Sequence, residues 1–429
     1  LWHEERNMIY AKVQNSSGIS KENMKKHFFK GLKGLGNKER VLLIPPDITR
    51  VHGLGGLLAV WAVEYYKDKV RAILAALGTH VAMTSEEIDT MYPGVDHSLF
   101  VNHDWRNDVI TLGTVPCEYI EEVSEGKLSY SWKAQVNNLL VSGGFDLILS
   151  LGQVVPHEVV GMANHTKNIY IGTGGAEGIN KSHYLGAVYG MERIMGRKDS
   201  PVRAVLDYAH THFATSLPIV FALTVVKRGT DGNMESAGLF IGNDRACFDE
   251  ASQLSLKVNF TMVDEPLKKV VVYLDSHEFR STWLGNKAIY RTRMAIADGG
   301  ELIIIAPGVH TFGEDKEIDR LIRKFGYKGT DYVLDAVSRN EDLKQNLSAA
   351  AHLIHGSSEK RFSITYCPSA ISEKDIVSVG YAYGPMKEAQ EKYIFDGIQD
   401  GENVTSDGEH YYFISNPAIG LWAHESRFQ

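Results

Sequence analysis

Cysteine is close to absent from this chain. Cys117, Cys247 and Cys367 are the three in 429 residues, far apart and without a Cys-x-x-Cys pair. An odd, sparse set excludes a disulfide framework and a thiolate zinc site, and makes a reducing cytoplasm the expected compartment. Positive charge is short too: 45 Lys and Arg against 53 Asp and Glu give a net charge of -8 with His neutral. That balance excludes nonspecific nucleic-acid binding as the main role, so no nucleic-acid partner is expected. No apolar run reaches membrane-spanning length, so no membrane partner is expected either. The opening stretch LWHEERNMIYAKV has no signal-peptide hydrophobic region, and it begins without Met, so the first residue shown need not be the encoded start. Internal repeats and low-complexity tracts are missing as well.

What is present is ordinary for a globular protein: 44% hydrophobic and 23% charged residues, in a chain long enough for two domains. Short apolar runs ending in Gly, Pro or Asp recur between helical patterns. Val41 to Ile44, Ala72 to Leu77, Asp146 to Gly152 and Asn168 to Gly174 read as strands. They are continuous rather than alternating, which implies burial on both faces, as in an α/β sheet. Thr84 with Glu87 three residues on reads as a helix-starting capping box. Pro218 to Arg228 and Gly238 to Asp244 read as a later pair of strands. A second α/β unit starts near Leu267, with the strand of Lys268 to Asp275, a helix over Trp283 to Ala297, a turn and strand from Asp298, further helices, and a strand over Arg361 to Cys367. The expected fold is therefore two α/β domains with mixed or parallel sheets flanked by helices and the active site in the cleft between them. The first covers 1–266, the second 267–409, and the strand within 410–429 is free to return to the first.

Candidate site residues cluster after strands, where α/β ligand sites lie. Asp47 and Arg50 follow the first strand, and an Arg can hold a carboxylate or phosphate with two parallel hydrogen bonds. The same residues also suit a plain turn. Gly78 and His80 follow the second strand. His157 follows the Asp146 to Gly152 run. His is the side chain whose ordinary pKa lies nearest neutrality, so two of them make an acid/base pair. Lys167 and His183 stand ten and sixteen residues further along, in turn, around a glycine cluster that includes Gly174 and Gly175. That loop suits a phosphate cradle and equally a turn. His103 reads as structural, and His210 and His212 read as helical residues rather than metal ligands. Lys287, in the second unit, reads on its own as a solvated lysine.

Together these runs resemble the lactate racemase family of nickel-pincer-dependent 2-hydroxyacid racemases and epimerases, over nearly the whole chain. The motifs that carry the likeness are Asp47-x-x-Arg50, Gly78-Thr79-His80, Pro156-His157 with Lys167 and His183 downstream, and Lys287 eleven residues before Asp298-Gly299-Gly300. The resemblance implies that Lys167 carries a nickel-pincer nucleotide covalently, that the glycines Gly174 and Gly175 line it, and that His183 is the protein ligand of Ni. One carbon and two sulfurs of the pincer then leave a square plane for the His to complete. It implies His80 and His157 as the catalytic pair. Arg50 and Lys287 would hold the substrate carboxylate, Asp47 would orient Arg50, and cofactor-assembly enzymes would be partners. The C2–H of a 2-hydroxy acid is a very poor acid, so hydride removal with a His taking the hydroxyl proton avoids a carbanion. Inversion then needs a base on each side.

The chain departs from the family at Val81, where lactate-type members carry Arg, and at Trp283 and Leu284, where they carry Tyr and Gln. Both changes remove polar groups from the expected substrate region, with Trp283 now among the residues expected to line it. The expected substrate is accordingly a 2-hydroxy acid other than lactate. Two alternatives compete with the racemase reading: a metal-dependent hydrolase or lyase built on the same His residues, and a non-catalytic organic-acid or nucleotide sensor.

Overall fold

Val41–Ile44 is apolar at every position and buried at every position, a pattern that only a strand covered on both faces allows. It lies near the middle of a seven-stranded sheet. In spatial order the strands are Ile9–Ile19, Met234–Gly242, Ile219–Arg228, Leu147–Gln153, Val41–Ile44, Val70–Leu74 and Phe100–Val101. Met234–Gly242 runs against both of its neighbours, and the other pairings are parallel. The computed structural model describes residues 9–229, 233–418 and 420–428.

Alternate residues of these strands feed two cores. Leu42, Ile44, Leu74, Ile148 and Phe221 pack into one, and Val41, Leu43, Ile73, Leu149 and Ala222 into the other. Each of the larger of these side chains contributes about 1.5–3 kcal/mol over leaving it in water, so both faces hold the sheet against its helices. Chain order matters for function. From Val41–Ile44 the chain steps outward to Val70–Leu74 and Phe100–Val101. It then returns to the opposite flank of Val41–Ile44 with Leu147–Gln153. The reversal falls between Val41–Ile44 and Leu147–Gln153, and the carboxyl ends of such a pair form a crevice where α/β sheets bind ligands.

The chain divides into one unit of residues 1–185 and 194–259 and a second of 186–193 and 260–429. This differs from the boundary after 266 expected from Pro266. The second unit has its own six-stranded sheet, in the order Ala382–Tyr383, Ser363–Pro368, Ile296–Ala306, Leu267–Tyr273, His410–Ile414, Gly401–Val404. All its pairings are parallel except that of Gly401–Val404 with His410–Ile414. In the tail, His410–Ile414 pairs with Leu267–Tyr273, and Leu421–His424 pairs with Phe260–Val263, a strand inside the 1–266 segment. Among the described residues no helix is long and apolar enough to cross a membrane, and the three cysteines are free.

Two sequence expectations fail locally. Asn168 to Gly174 is not a strand. Thr166–Tyr170 is a short helix, and Ile169 and Tyr170 are fully buried. A run this apolar and this short has no period that separates helix from strand. The single helix expected over Trp283 to Ala297 is two, Thr282–Gly285 and Lys287–Thr292, followed by a strand from Ile296. The break is packed rather than loose: a Cβ on Gly285 would lie 2.4 Å from the Tyr366 hydroxyl, and Asn286 donates to the Tyr381 hydroxyl at 3.0 Å. The capping box at Thr84 is as expected, and the strand pair expected over Pro218 to Arg228 and Gly238 to Asp244 is Ile219–Arg228 with Met234–Gly242.

Candidate active site

Three strand ends deliver polar groups to the crevice. After Val41–Ile44 the chain turns through Pro45 and Pro46 into the 3-10 segment Ile48–Gly53, which carries Arg50. Asp47 precedes it, 4% exposed. After Val70–Leu74 comes the turn at Gly78, whose φ of +58° favours glycine and whose N–H donates to Gly172 O at 2.9 Å. His80 follows. After Leu147–Gln153 the hairpin of Pro156–His157 with Gly161–Met162 buries His157. Asn168 ties the next element to the crevice: its amide donates to Ile44 O at 3.2 Å and to Ser150 Oγ at 2.9 Å, one acceptor on each strand flanking the switch.

Asp47 holds His80, and the charge of Arg50 acts on the same carboxylate. One carboxylate oxygen lies 2.5 Å from His80 Nδ1 and the other accepts from the Thr49 hydroxyl at 2.5 Å. Burial alone would lift the Asp47 carboxyl. The His80 and Thr49 contacts and the charge of Arg50 overcome that and bring it down to about 2. An anion at Nδ1 fixes the proton there, so Nε2 of His80 presents a lone pair. His157 is set the other way. Its Nδ1 accepts the Val159 N–H at 3.1 Å, which places the proton of the neutral ring on Nε2.

Lys167 follows a strained turn. Asn164 and His165 have φ of +68° and +57°, a conformation that costs about 1–3 kcal/mol for each non-glycine residue and persists only where the surroundings impose it. Here the imposing residue is Arg203, 1% exposed, on the helix Pro201–Phe213. It donates to Met162 O at 2.7 Å, Asn164 O at 3.1 Å and Thr166 Oγ1 at 2.7 Å. His165 is clamped between rings, 4.1 Å from that of Phe221 and stacked on that of Phe248 at 5.2 Å. Lys167 itself is largely enclosed. Burial, and then the charge of Arg50, take its ammonium down to about 8 against the opposing pull of Glu158 and Asp47.

His183 projects from the helix Ala176–Tyr189 and donates Nδ1–H to Ile179 O at 2.7 Å, which leaves Nε2 as a ligand lone pair. Its pKa is lowered by burial, with Lys167 and His80 adding to the effect and Ile179 and Glu158 opposing it. Asp47, Arg50, His80, Glu158, Lys167 and His183 therefore share one electrostatic neighbourhood, with His157 joined to it through Glu158, whose carboxylate lies 3.7 Å from His157 Nδ1. In the second unit Lys287 is buried at the start of its helix with its ammonium 5.4 Å above the Phe279 ring. Trp283 packs on His352 at 4.3 Å, and Tyr327 OH meets His352 Nε2 at 2.9 Å.

Residues 25–194 match the family described as lactate racemase N-terminal domain. Over those residues the chain is similar to a lactate racemase N-terminal domain. Among solved structures, the lactate racemase apoprotein from Thermoanaerobacterium thermosaccharolyticum is similar, with TM-score 0.68 and 18% identity over 95% of this chain and 93% of that one. A structural-genomics crystal structure of a protein from Thermotoga maritima is also similar, with TM-score 0.82 and 23% identity over 96% of this chain and 100% of that one. These two likenesses concern the fold. No curated protein matches. The family match over residues 25–194 supports a racemase-type function in general.

The glycine cluster has packing reasons. A Cβ on Gly174 would lie 1.8 Å from Tyr170 O, and one on Gly175 would lie 2.3 Å from Gln135 Oε1. Gly174 O accepts from Nε2 of the buried His103, whose Nδ1 accepts from Asn137 at 3.2 Å. His103 is thus a scaffold residue, kept neutral by burial. His210 and His212 lie on the helix Pro201–Phe213. Three residues that shape the site, Glu158, Asn168 and Arg203, are not marked as such by the sequence. Glu158 had one available signal, its place directly after His157. Asn168 and Arg203 had none, because a polar side chain serving distant backbone carbonyls leaves no local pattern.

Proposed function

We propose that the protein inverts C2 of a 2-hydroxy acid by hydride transfer to a nickel-pincer nucleotide, with a substrate other than lactate. The observation that carries this reading is the Lys167 amine, brought to about 8 in the same neighbourhood as a His ligand and an Asp-held His. A covalent tether needs a deprotonated amine, and a value near 8 supplies a neutral fraction that an ordinary lysine lacks. His183, neutral and with Nε2 unprotonated, suits a nickel site in which the cofactor provides the remaining donors.

Lys167 would hold the nucleotide and His183 its nickel. When bound, the group supplies a hydride acceptor and donor beside C2. The chain's own residues do the rest. Nε2 of His80 takes the hydroxyl proton, and the buried Asp47 carboxylate stabilises the resulting imidazolium. Arg50 pairs with the substrate carboxylate, and Lys287 is proposed as its second cation. His157 serves the opposite enantiomer. Val81 is 88% exposed beside His80, and with Trp283 and Leu284 it replaces polar side chains by apolar ones, which favours a larger substrate such as an aryl, alkyl or sugar hydroxy acid.

The test is co-expression with cofactor-assembly enzymes, followed by intact mass, nickel content and a screen of chiral 2-hydroxy acids for inversion and C2-hydrogen exchange. The expected result is an adduct on Lys167, one nickel per chain and inversion of at least one acid. Loaded protein that inverts none of them overturns the reading.

A further inference from the structure

The two imidazoles assigned to proton transfer are not equally served. His80 has its carboxylate in place at 2.5 Å. At His157 two groups compete for the same nitrogen: the Val159 N–H, which needs a lone pair on Nδ1, and the Glu158 carboxylate 3.7 Å away, which needs a proton there. With Nδ1 bonded to Val159, the neutral ring carries its proton on Nε2 and has nothing to accept a substrate proton with. That tautomer cannot act as a base at Nε2, and as an acid it would leave an imidazolate.

We propose that Glu158 is the positioning residue of His157, receiving its Nδ1–H whenever the ring leaves the Val159 amide. Protonation at Nδ1 gives an imidazolium, breaks the bond from Val159 and makes Glu158 the partner. The imidazolium then releases Nε2–H to the substrate oxygen and remains as the Nδ1–H tautomer, which takes the next hydroxyl proton at Nε2. Both working forms use Glu158, and the Val159-bonded form is a resting state outside the cycle. The Glu158 carboxylate stands on the same short segment as His157. It also acts on Lys167 and His183, in a neighbourhood that holds Arg50, Asp47 and His80. Its reach to His157 is therefore tuned by those charges, and it sits only 20% exposed, where a carboxylate is screened less than at the surface.

This inference rests on the reading of His157 as an acid/base group, and its test separates the two. In the protein without cofactor, histidine 15N spectra, with His157 identified by its loss in His157→Gln, report the tautomer and titration of that ring alone. Glu158→Gln is expected to lower the apparent pKa of His157 by about one unit and to deplete the Nδ1–H form. Glu158→Asp, which keeps the charge on a shorter arm, is expected to restore part of the shift. In loaded enzyme Glu158→Gln is expected to move the pH profile of kcat and leave KM within about twofold. Identical His157 titrations in wild type and both variants overturn the proposal. A normal 15N response with no inversion of any 2-hydroxy acid overturns the racemase reading and leaves the Glu158–His157 relationship standing.

Discussion

Asp47 and His80 meet at 2.5 Å across 33 residues of sequence, a carboxylate that is 4% exposed against an imidazole whose ring reaches solvent. The buried partner cannot relax, so it dictates the ring. Asp47→Asn keeps the shape and loses the charge that fixes the tautomer and stabilises the imidazolium. We expect kcat of the loaded enzyme to fall by about 10²–10⁴-fold with KM changed little. Steady-state inversion kinetics decide this, and a loss smaller than tenfold would remove Asp47 from the proton-transfer apparatus.

The same contact makes stability depend on acid. The Asp47 carboxyl is depressed from its usual 3.8 to about 2 in the folded protein. A depressed carboxyl contributes stability that is fully present above its unfolded value and is lost as pH falls through the folded one. The shift corresponds to about 2 kcal/mol, lost between roughly pH 5 and pH 2. Urea unfolding of wild type and Asp47→Asn across that range should converge toward low pH. Parallel curves would mean that the carboxylate has no folded-state advantage.

Lys167 has the opposite sign. Its folded-state value, about 8 against the usual 10.5, means that the folded protein is penalised for keeping it charged. Below pH 8 the penalty is constant; between about pH 8 and 10.5 the unfolded chain binds the extra proton, so stability rises with pH. Lys167→Met should therefore stabilise the cofactor-free protein at pH 7 by about 2–3 kcal/mol while abolishing the adduct. Differential scanning calorimetry gives the first readout and intact mass the second. A lower Tm in Lys167→Met would show that the ammonium is well paired rather than strained.

These residues also show what the sequence makes legible. Asp47, His80 and His157 are readable because each comes a few residues after an apolar run, and runs buried on both faces locate strand ends. The partnership of Asp47 with His80 was not readable, since Arg50 is nearer in sequence and the true partner comes from the neighbouring strand. The sequence pattern puts Lys167 just before a strand, yet it stands on a helix, because Ile169 and Tyr170 are buried on all sides and carry no period. Gly174 and Gly175 suggested a phosphate cradle from composition alone. Their crowding by Tyr170 O and Gln135 is a tertiary fact with no sequence signature.

His183 should behave as a metal ligand whose protonation is suppressed. Burial lowers its pKa, so protons compete weakly for Nε2 and nickel should be retained to lower pH than an exposed histidine would permit. His183→Ala should keep the adduct on Lys167 and lose nickel more than about tenfold. Metal analysis after dialysis, alongside intact mass, distinguishes this from a loading defect. Full nickel in His183→Ala would place the ligand elsewhere.

Arg203 carries the heaviest structural burden near the site. It is a buried cation that serves Met162 O, Asn164 O and Thr166 Oγ1 at once, and its guanidinium stays charged at neutral pH even though burial pulls it down to about 10. Removing the donor set strands three acceptors and frees the positive-φ turn at Asn164 and His165. Arg203→Met should cost about 3–5 kcal/mol in urea unfolding. The turn leads directly into Lys167, so the damage should not stop at stability. At a temperature where the variant is still folded, adduct formation on Lys167 should fall with it, whereas a merely global effect would leave loading intact below the melting transition. A cost under 1 kcal/mol, or full loading in a destabilised variant, would show that the turn holds its shape without Arg203.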